Sequence, residues 1–220
     1  MMNTLSRITS YIFHPIWLMT ALTALLMALN PIAFFSAQPT FKGVLLLSVF
    51  FTTAFIPGIA VLMMKFLNLI PSIEMPQKEH RIGPLIIGGV FHIWMYKNFT
   101  DNPNIPDILA LSTMAVIVTL FLCFLINLFA KISLHAAGIS AMTTILTIAI
   151  FTGDADTLSL TSKDSSVLLM HPIILIFTGL LIAGWVGSSR LYLRAHTHEE
   201  LGAGYFIGAI GPVATFILMG

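Results

Sequence analysis

Long runs of apolar residues, separated by short polar breaks, occupy most of this 220-residue chain. Each run is close to the roughly 20 residues that a helix needs to cross the hydrocarbon core of a membrane. Charged residues make up 9% of the chain, too few to cover a soluble surface. Backbone groups inside lipid must be satisfied within the protein, and no segment alternates as a membrane β-strand does. The sequence therefore predicts an all-α polytopic transmembrane helical bundle, one integral membrane domain over residues 1–220.

The apolar runs divide the chain into about seven predicted crossings, with six as the alternative count. We place them at residues 16–36, 43–66, 83–98, 107–130, 134–151, 167–187 and 202–219. The third is the least apolar because His92 and Lys97 lie within it, and a re-entrant segment there would reduce the count to six. The first is longer than the core of a signal peptide, so we interpret it as a retained span.

Charge and cysteine content exclude several classes of protein. The formal net charge is +1 and the chain has no basic run, so it lacks the electrostatic signature of a nucleic-acid-binding protein. Cys123 is the only cysteine, which excludes an intrachain disulfide and a cysteine-based zinc site. The expected partners are therefore membrane lipids rather than nucleic acid.

The predicted crossings sort the charged residues between the two membrane surfaces. Counted from the amino terminus, one surface receives residues 1–15, 67–82, 131–133 and 188–201, and we call it the basic face. The candidate site residues at this face are Lys78, Arg81, Ser133, His135, Arg190, His196 and Glu200. The aspartates fall at the opposite surface. Cations and imidazoles therefore converge where an anion can bind.

The stretch around His196 has the most specific spacing. Arg190 is followed after five residues by His196, and after three more by Glu200. Glu200 lies one helical turn beyond His196, so its carboxylate can orient the imidazole as a nucleophile or general base. Arg190 offers a forked donor that matches phosphate oxygens. The structural alternative is a capping box from Thr197 to Glu200, with Arg190 as an interfacial anchor.

A second stretch, residues 131–138, joins the fourth and fifth predicted spans. Ser133 is a plausible N-cap, and the free N–H groups of a helix start form an anion site. His135 would face that site, where an imidazole can protonate a departing alkoxide. The alternative is a capping serine beside an interfacial Lys131 and His135.

A third stretch, residues 74–84, precedes the least apolar span. Lys78 and Arg81 lie three residues apart, so that an ammonium and a guanidinium can point at an anion bound at the membrane surface. The alternative is that they are ordinary basic residues beside a span.

Together these stretches resemble the type 2 phosphatidic acid phosphatase superfamily, whose third motif is Ser-Arg, five residues, His, three residues, Asp. Ser189, Arg190 and His196 match that motif, and Glu200 replaces the aspartate. Glycines at 204 and 208 extend the similarity. The motif-bearing region covers residues 74–208.

The other two family motifs are less complete. The second motif is Pro-Ser-Gly-His, and the chain keeps Ser133 and His135 but has Ile132 and Leu134 around the serine. The first motif is Lys, six residues, Arg-Pro. Here Lys78 lies three residues before Arg81, and the next proline is Pro84. The order of the three motifs agrees with the family.

The resemblance implies a membrane enzyme that hydrolyses lipid phosphate monoesters or diphosphates through a phosphohistidine intermediate. His196 would attack phosphorus, Glu200 would orient it, and His135 would protonate the leaving oxygen. The phosphoryl oxygens would be held by Lys78, Arg81, Ser133 and Arg190. The resemblance implies no metal or other cofactor, and bacterial members suggest an inner-membrane protein whose site faces the periplasm.

Two other functions remain as alternatives. The first is a catalytically silent relative that binds or transports anionic lipid. The second is a haem or metal protein, suggested by the histidines at 14, 92, 135, 171, 196 and 198. Paired axial ligands would have to lie at matching depth, yet His92 is the only histidine that we place well inside a span.

Overall fold

The computed structural model describes residues 2–35, 40–153, 158–161 and 167–220, of which 158–161 and 167–170 are described by their backbone. Its helices are α1 (Met2–Ile12), α2 (Pro15–Leu29), α3 (Phe41–Phe50), α4 (Ile56–Phe66), α5 (Ile82–Thr100), α6 (Asp107–Phe129), α7 (Leu134–Phe151), α8 (Ile173–Tyr192) and α9 (His198–Met219). A π-helical turn, Phe51–Phe55, joins α3 to α4, and a short 3-10 turn, Glu79–Arg81, leads into α5. Strands β1 (Leu158–Thr161) and β2 (Val167–Met170) form an antiparallel hairpin between α7 and α8.

Within the described residues, five helices are long and apolar enough to cross a membrane. They are the continuous α3–α4 helix, α6, α7, α8 and α9, and the bent pair α1–α2 would make a sixth. The prediction of a helical membrane protein is thus supported, whereas seven crossings are not confirmed. The predicted third span forms α5, but His92 and Lys97 keep its hydropathy below that of the others.

Two predicted boundaries differ from the structure. The predicted sixth span began at residue 167, but residues 167–170 form β2 and the helix begins at Ile173. The first predicted span, 16–36, corresponds to α2, which ends at Leu29. Asn30 and Pro31 follow directly, and a proline disfavours helix in the residue before it.

Helix α1 was not predicted, because residues 1–15 contain no apolar run of the length that a membrane crossing needs. It is amphipathic, and Trp185 of α8 donates a hydrogen bond of 2.9 Å from Nε1 to Thr9 Oγ1. His14 then caps α2 by accepting the Ile16 N–H at its Nδ1, and Pro15 occupies the first turn. The chain therefore bends by 60° between α1 and α2, which places α1 against α8.

Close packing of α9 on α7 brings the predicted motifs together. A Cβ on Gly208 would overlap the carbonyl oxygen of Ala137, and one on Gly204 would lie 2.6 Å from the carbonyl oxygen of Ser133. Only glycine permits this approach, as in other membrane helix pairs with small residues four apart. The backbone N–H of Ser133 consequently donates to the carbonyl of Glu200 at 3.1 Å.

We expect Gly208→Ala to destabilise the protein by about 1–3 kcal/mol, because the added methyl group meets backbone that cannot move aside. Thermal unfolding in detergent measures the effect. Gly202→Ala is the matched control in the same helix, since nothing lies within 4 Å of a Cβ at Gly202. Equal unfolding temperatures for the two variants would contradict the packing described for α7 and α9.

Candidate active site

His196 and Glu200 form a hydrogen-bonded pair at the start of α9. His196 is buried, and its Nδ1–H donates to Glu200 Oε2 over 2.5 Å. The Thr197 side chain caps α9 by accepting the Glu200 N–H at 3.3 Å. Capping and pairing therefore occur together, but the Glu200 carboxylate is directed to the imidazole. This arrangement leaves Nε2 of His196 as the atom with a free lone pair.

Three cations act on this pair from different parts of the chain. Arg81, Arg190 and Lys131 all lower the proton affinity of His196 through their charges. Lys131 Nζ is 3.7 Å from Glu200 Oε2 and donates to the carbonyl oxygen of Ala195 at 2.7 Å. These five side chains, His196, Glu200, Arg81, Lys131 and Arg190, are called the His196 cluster below.

Burial and the surrounding charges keep His196 neutral at physiological pH. Burial is the larger cause and the three cations add to it, so that the pKa of His196 falls from 6.5 to about 3. The Glu200 carboxylate acts in the opposite direction, but one anion opposes three cations and the loss of hydration. A neutral imidazole held by a carboxylate is the form that a nucleophile requires.

Arg81 is fixed at the base of the cluster. Its Nη1 donates to the carbonyl oxygen of Ile132 at 2.7 Å, and its Nε donates to that of Met75 at 2.9 Å. Burial is also the main reason why the pKa of Arg81 is lowered. A charge placed out of water in this way needs a compensating anion, and Glu200 is the carboxylate that acts on it.

Ser133 is fully buried at the N-cap of α7, where its side chain accepts the Ala136 N–H at 3.4 Å. This is the capping role that the sequence predicted. Its position beside Glu200 also directs the amino-terminal end of α7, with its free N–H groups, towards the His196 cluster.

His135 and Arg190 both contact Ser10 of α1. The Nε2–H of His135 donates to the Ser10 carbonyl at 3.1 Å, and Arg190 Nη1 donates to Ser10 Oγ at 3.2 Å. His135 is within electrostatic range of Arg190 and His196, and its ring packs edge-on against His14 with centroids 5.2 Å apart. The Nε of Arg190 is buried and has no hydrogen-bond partner among the described residues.

Lys78 is located apart from the other predicted residues. Its Nζ donates to the carbonyl oxygens of Leu128 at 2.9 Å and Phe129 at 2.8 Å, where it compensates the carboxyl-terminal end of α6. The side-chain amide of Asn127 donates a hydrogen bond of 2.8 Å from Nδ2 to the backbone carbonyl oxygen of Lys78. The cation beside Glu200 is instead Lys131.

Sequence reasoning missed Lys131 and Ser10 for different reasons. Lys131 lies two residues before Ser133, and this proximity was the available signal, but the resemblance assigned the lysine role to Lys78. Ser10 belongs to no motif, and its position depends on the packing of α1 against α8.

Comparisons of sequence and of structure assign the chain to no known family. No family model, curated protein or solved structure matches it. The resemblance to the lipid phosphatases therefore depends on the motif residues and on the geometry of the His196 cluster.

The histidines do not gather into one group. Within the described part of the chain, no three His, Cys, Asp or Glu side chains are close enough together to hold a metal ion. His92 contacts the Gly88 carbonyl of its own helix at 2.8 Å, and His171 Nδ1 accepts the Ile173 N–H at the start of α8.

Proposed function

We propose that the protein is a metal-independent membrane phosphatase of lipid-linked phosphate monoesters or diphosphates. The observation that carries this proposal is the His196 cluster. It combines a neutral imidazole, oriented by one carboxylate, with three cations whose charges act on that imidazole. Two positive charges therefore remain for a bound anion, which matches a phosphate dianion.

In the proposed reaction, Nε2 of His196 attacks phosphorus and the bond from phosphorus to the lipid oxygen breaks. His135 gives a proton to the departing oxygen and takes one back from the water that hydrolyses the phosphohistidine, which releases phosphate and restores the free Nε2 of His196. The phosphoryl oxygens are held by Arg81, Arg190 and the amino-terminal end of α7 at Ser133. Ser10 accepts hydrogen bonds from both His135 and Arg190. These two side chains can turn to the substrate only when α1 moves away from them.

The membrane arrangement follows from the same proposal. Lys78 contacts the end of α6 and lies four residues before α5, so α5 and α6 run side by side in opposite directions. A helix of 19 residues spans about 28 Å, close to the hydrocarbon thickness. We propose that α5 is the seventh crossing and that, as in bacterial relatives of the resembled family, the cluster faces the periplasm.

Phosphate release from lipids by the detergent-solubilised protein tests the function. A panel of phosphatidic acid, phosphatidylglycerol phosphate, prenyl diphosphates and lipid A, each assayed with a metal chelator present, should reveal at least one saturable substrate. Orthovanadate, which mimics the five-coordinate phosphorus, should inhibit the release. Absence of release from every lipid would overturn the phosphatase proposal.

The second candidate function is a silent relative that binds or transports anionic lipid. The two contacts of Ser10 favour it, since they occupy the proposed acid and one phosphate ligand. Lipid that copurifies or binds without phosphate release would support this alternative.

Lys131→Ala should shift the acid limb of the pH–activity profile upwards. Removal of a nearby cation raises the pKa of His196, because Lys131 is one of the charges that lower it. Since a protonated imidazole cannot attack phosphorus, activity is then lost at a higher pH.

Lys78→Ala is the control for Lys131→Ala, because Lys78 is not among the charges that act on His196. Profiles of kcat/KM that extend down to about pH 2.5, below the pKa of His196, compare the variants. An equal shift in both variants, or a shift in Lys78→Ala alone, would contradict the placement of Lys131 beside the catalytic pair.

A further inference from the structure

Helix α1 turns its polar side towards the bundle. Its buried side chains are Ser6 and Thr9. All of its large apolar side chains are exposed, namely Met2, Leu5, Ile8, Tyr11 and Ile12. Helices in proteins gain most of their stability from apolar packing, and α1 obtains little of it from the helices that it covers. Hydrogen bonds therefore account for much of what holds α1 on α8, and each of them contributes modestly.

The last turn of α1 presents two oxygen acceptors to the candidate site. The His14 N–H forms a three-residue turn instead of bonding the Ser10 carbonyl, and His135 donates to that carbonyl. The Ser10 hydroxyl gives its own proton to the Ser6 carbonyl at 2.9 Å, so its oxygen accepts from Arg190. The end of a helix that bears free carbonyls also carries partial negative charge. This end of α1 thus occupies His135 and Arg190 as a weak substitute for an anion.

A phosphate binds these two side chains more strongly than α1 does. Both Ser10 oxygens are neutral acceptors, whereas hydrogen bonds from a guanidinium to a phosphate are charge-assisted and about twice as strong. The Nε of Arg190 is buried and has no hydrogen-bond partner among the described residues, so α1 leaves part of the forked donor unused. A phosphate dianion can use the whole fork. Substrate binding therefore provides the free energy that displaces α1.

The connection between α1 and α2 allows α1 to move by itself. Phe13 and His14 lie between the two helices, where the chain bends by 60°. His14 caps the start of α2 and packs against His135, so it belongs to the fixed part of the bundle. On the moving side, the hydrogen bond from Trp185 to Thr9 fastens α1 to α8. We call this hydrogen bond the latch.

We propose that α1 is an autoinhibitory lid, whose last turn occupies His135 and Arg190 until the phosphate of a lipid displaces it about the hinge at Phe13 and His14. The inference rests on the proposed function and assigns a regulation to that site. A lid that competes with substrate reduces the apparent affinity according to the fraction of molecules that are open. Weakening the latch raises that fraction. The rate at saturating lipid stays the same, because every molecule is then open.

Trp185→Phe removes the N–H that forms the latch and keeps an aromatic ring. KM for the best lipid should fall about threefold to tenfold with kcat unchanged, because one hydrogen bond no longer favours the closed state. Trp94→Phe is the matched control, since Trp94 is an exposed tryptophan of α5. It should leave both constants unchanged. An unchanged or higher KM in Trp185→Phe, or a lower kcat, would overturn the lid.

Thr9→Cys/Trp185→Cys tests the lid in both directions within one protein. In the reduced state this variant lacks the latch, so its KM should resemble that of Trp185→Phe. A reducible bifunctional thiol reagent that joins the two positions holds α1 closed, and phosphate release should then fall by at least about tenfold and return on reduction. Each single variant treated with the same reagent is the control, with Cys123 buried in all of them. Equal release from linked and reduced protein would contradict an inhibitory α1.

Labelling of α1 separates the lid from the phosphatase proposal, because it requires no turnover. Ser6 is buried, so orthovanadate in the site should raise the rate of maleimide labelling of Ser6→Cys by about threefold or more. Tyr11→Cys, on the exposed side of α1, should be labelled at one rate with and without orthovanadate. Faster labelling of Ser6→Cys without phosphate release from any lipid supports the lid and overturns the phosphatase. Phosphate release with unchanged labelling does the reverse.

Discussion

His196→Ala is expected to lower phosphate release by at least about 10⁴-fold, because it removes the atom proposed to bond to phosphorus. The loss should appear in kcat under saturating lipid. After brief incubation with lipid labelled in the terminal phosphate, the unsubstituted protein should carry acid-labile, alkali-stable label, as phosphohistidine does. His196→Ala should carry none.

His198→Ala is the control for this experiment. His198 is two residues away but exposed at the first position of α9, and it takes no part in the hydrogen bonds of the His196 cluster. It should release phosphate at the rate of the unsubstituted protein. Labelling that survives in His196→Ala, or an equal loss of activity in both variants, would contradict the nucleophile assignment.

Glu200 stands where the resembled phosphatases have an aspartate, and its carboxylate nevertheless contacts the imidazole of His196. The longer side chain extends from the first turn of α9 back to His196 and still hydrogen-bonds its Nδ1 at 2.5 Å. His196 lies just before α9, and Thr197 caps that helix. The backbone at His196 is therefore not bound to helical geometry, and the imidazole can lie where the longer side chain of Glu200 reaches it. The substitution is therefore compatible with an oriented nucleophile.

The long helices were predictable from the sequence because lipid imposes one rule on every crossing segment. Hydropathy located α6, α7 and α9 to within three or four residues at each end. The sequence did not decide whether α5 is a crossing or a re-entrant segment, because its polar residues obtain their hydrogen bonds within the fold. His92, for example, contacts the Gly88 carbonyl of its own helix. Local composition does not contain that information.

The candidate site was predictable only in part. Spacing within one helical turn foretold the contact of His196 with Glu200, and the count of crossings brought Arg81 and Arg190 to the same end. Which lysine lies beside Glu200 depends on the tight packing of α7 against α9, a tertiary property. Glycines 204 and 208 signalled this packing without indicating that Lys131 would reach Glu200.

Helix α1 was the largest omission, since short amphipathic segments gain their stability from the surface they cover. Ser6 and Thr9 are buried against the bundle, and Thr9 accepts the Trp185 hydrogen bond. None of these residues belongs to a sequence motif that would predict its contact. The contacts of Ser10 with His135 and Arg190 therefore required a structure.

Arg190→Ala is expected to lower kcat/KM for the best lipid by about 10³-fold, because a forked donor aimed at the phosphoryl oxygens is lost where charge develops. Arg190→Lys keeps the charge but not the fork, and should recover only part of the activity. Steady-state phosphate release with both variants measures the two contributions.

The stability of Arg190→Ala separates this role from a structural one. Arg190 is partly buried, its Nε has no hydrogen-bond partner among the described residues, and the cations Arg81 and Lys131 lie in the same cluster. A charge in this position costs folding free energy, so its removal should leave the unfolding temperature in detergent unchanged or raise it. An activity loss matched by a lower unfolding temperature would show that Arg190 holds α1 to α8 through Ser10. If Arg190→Ala instead loses activity while its unfolding temperature is unchanged or higher, Arg190 serves to bind the anionic substrate.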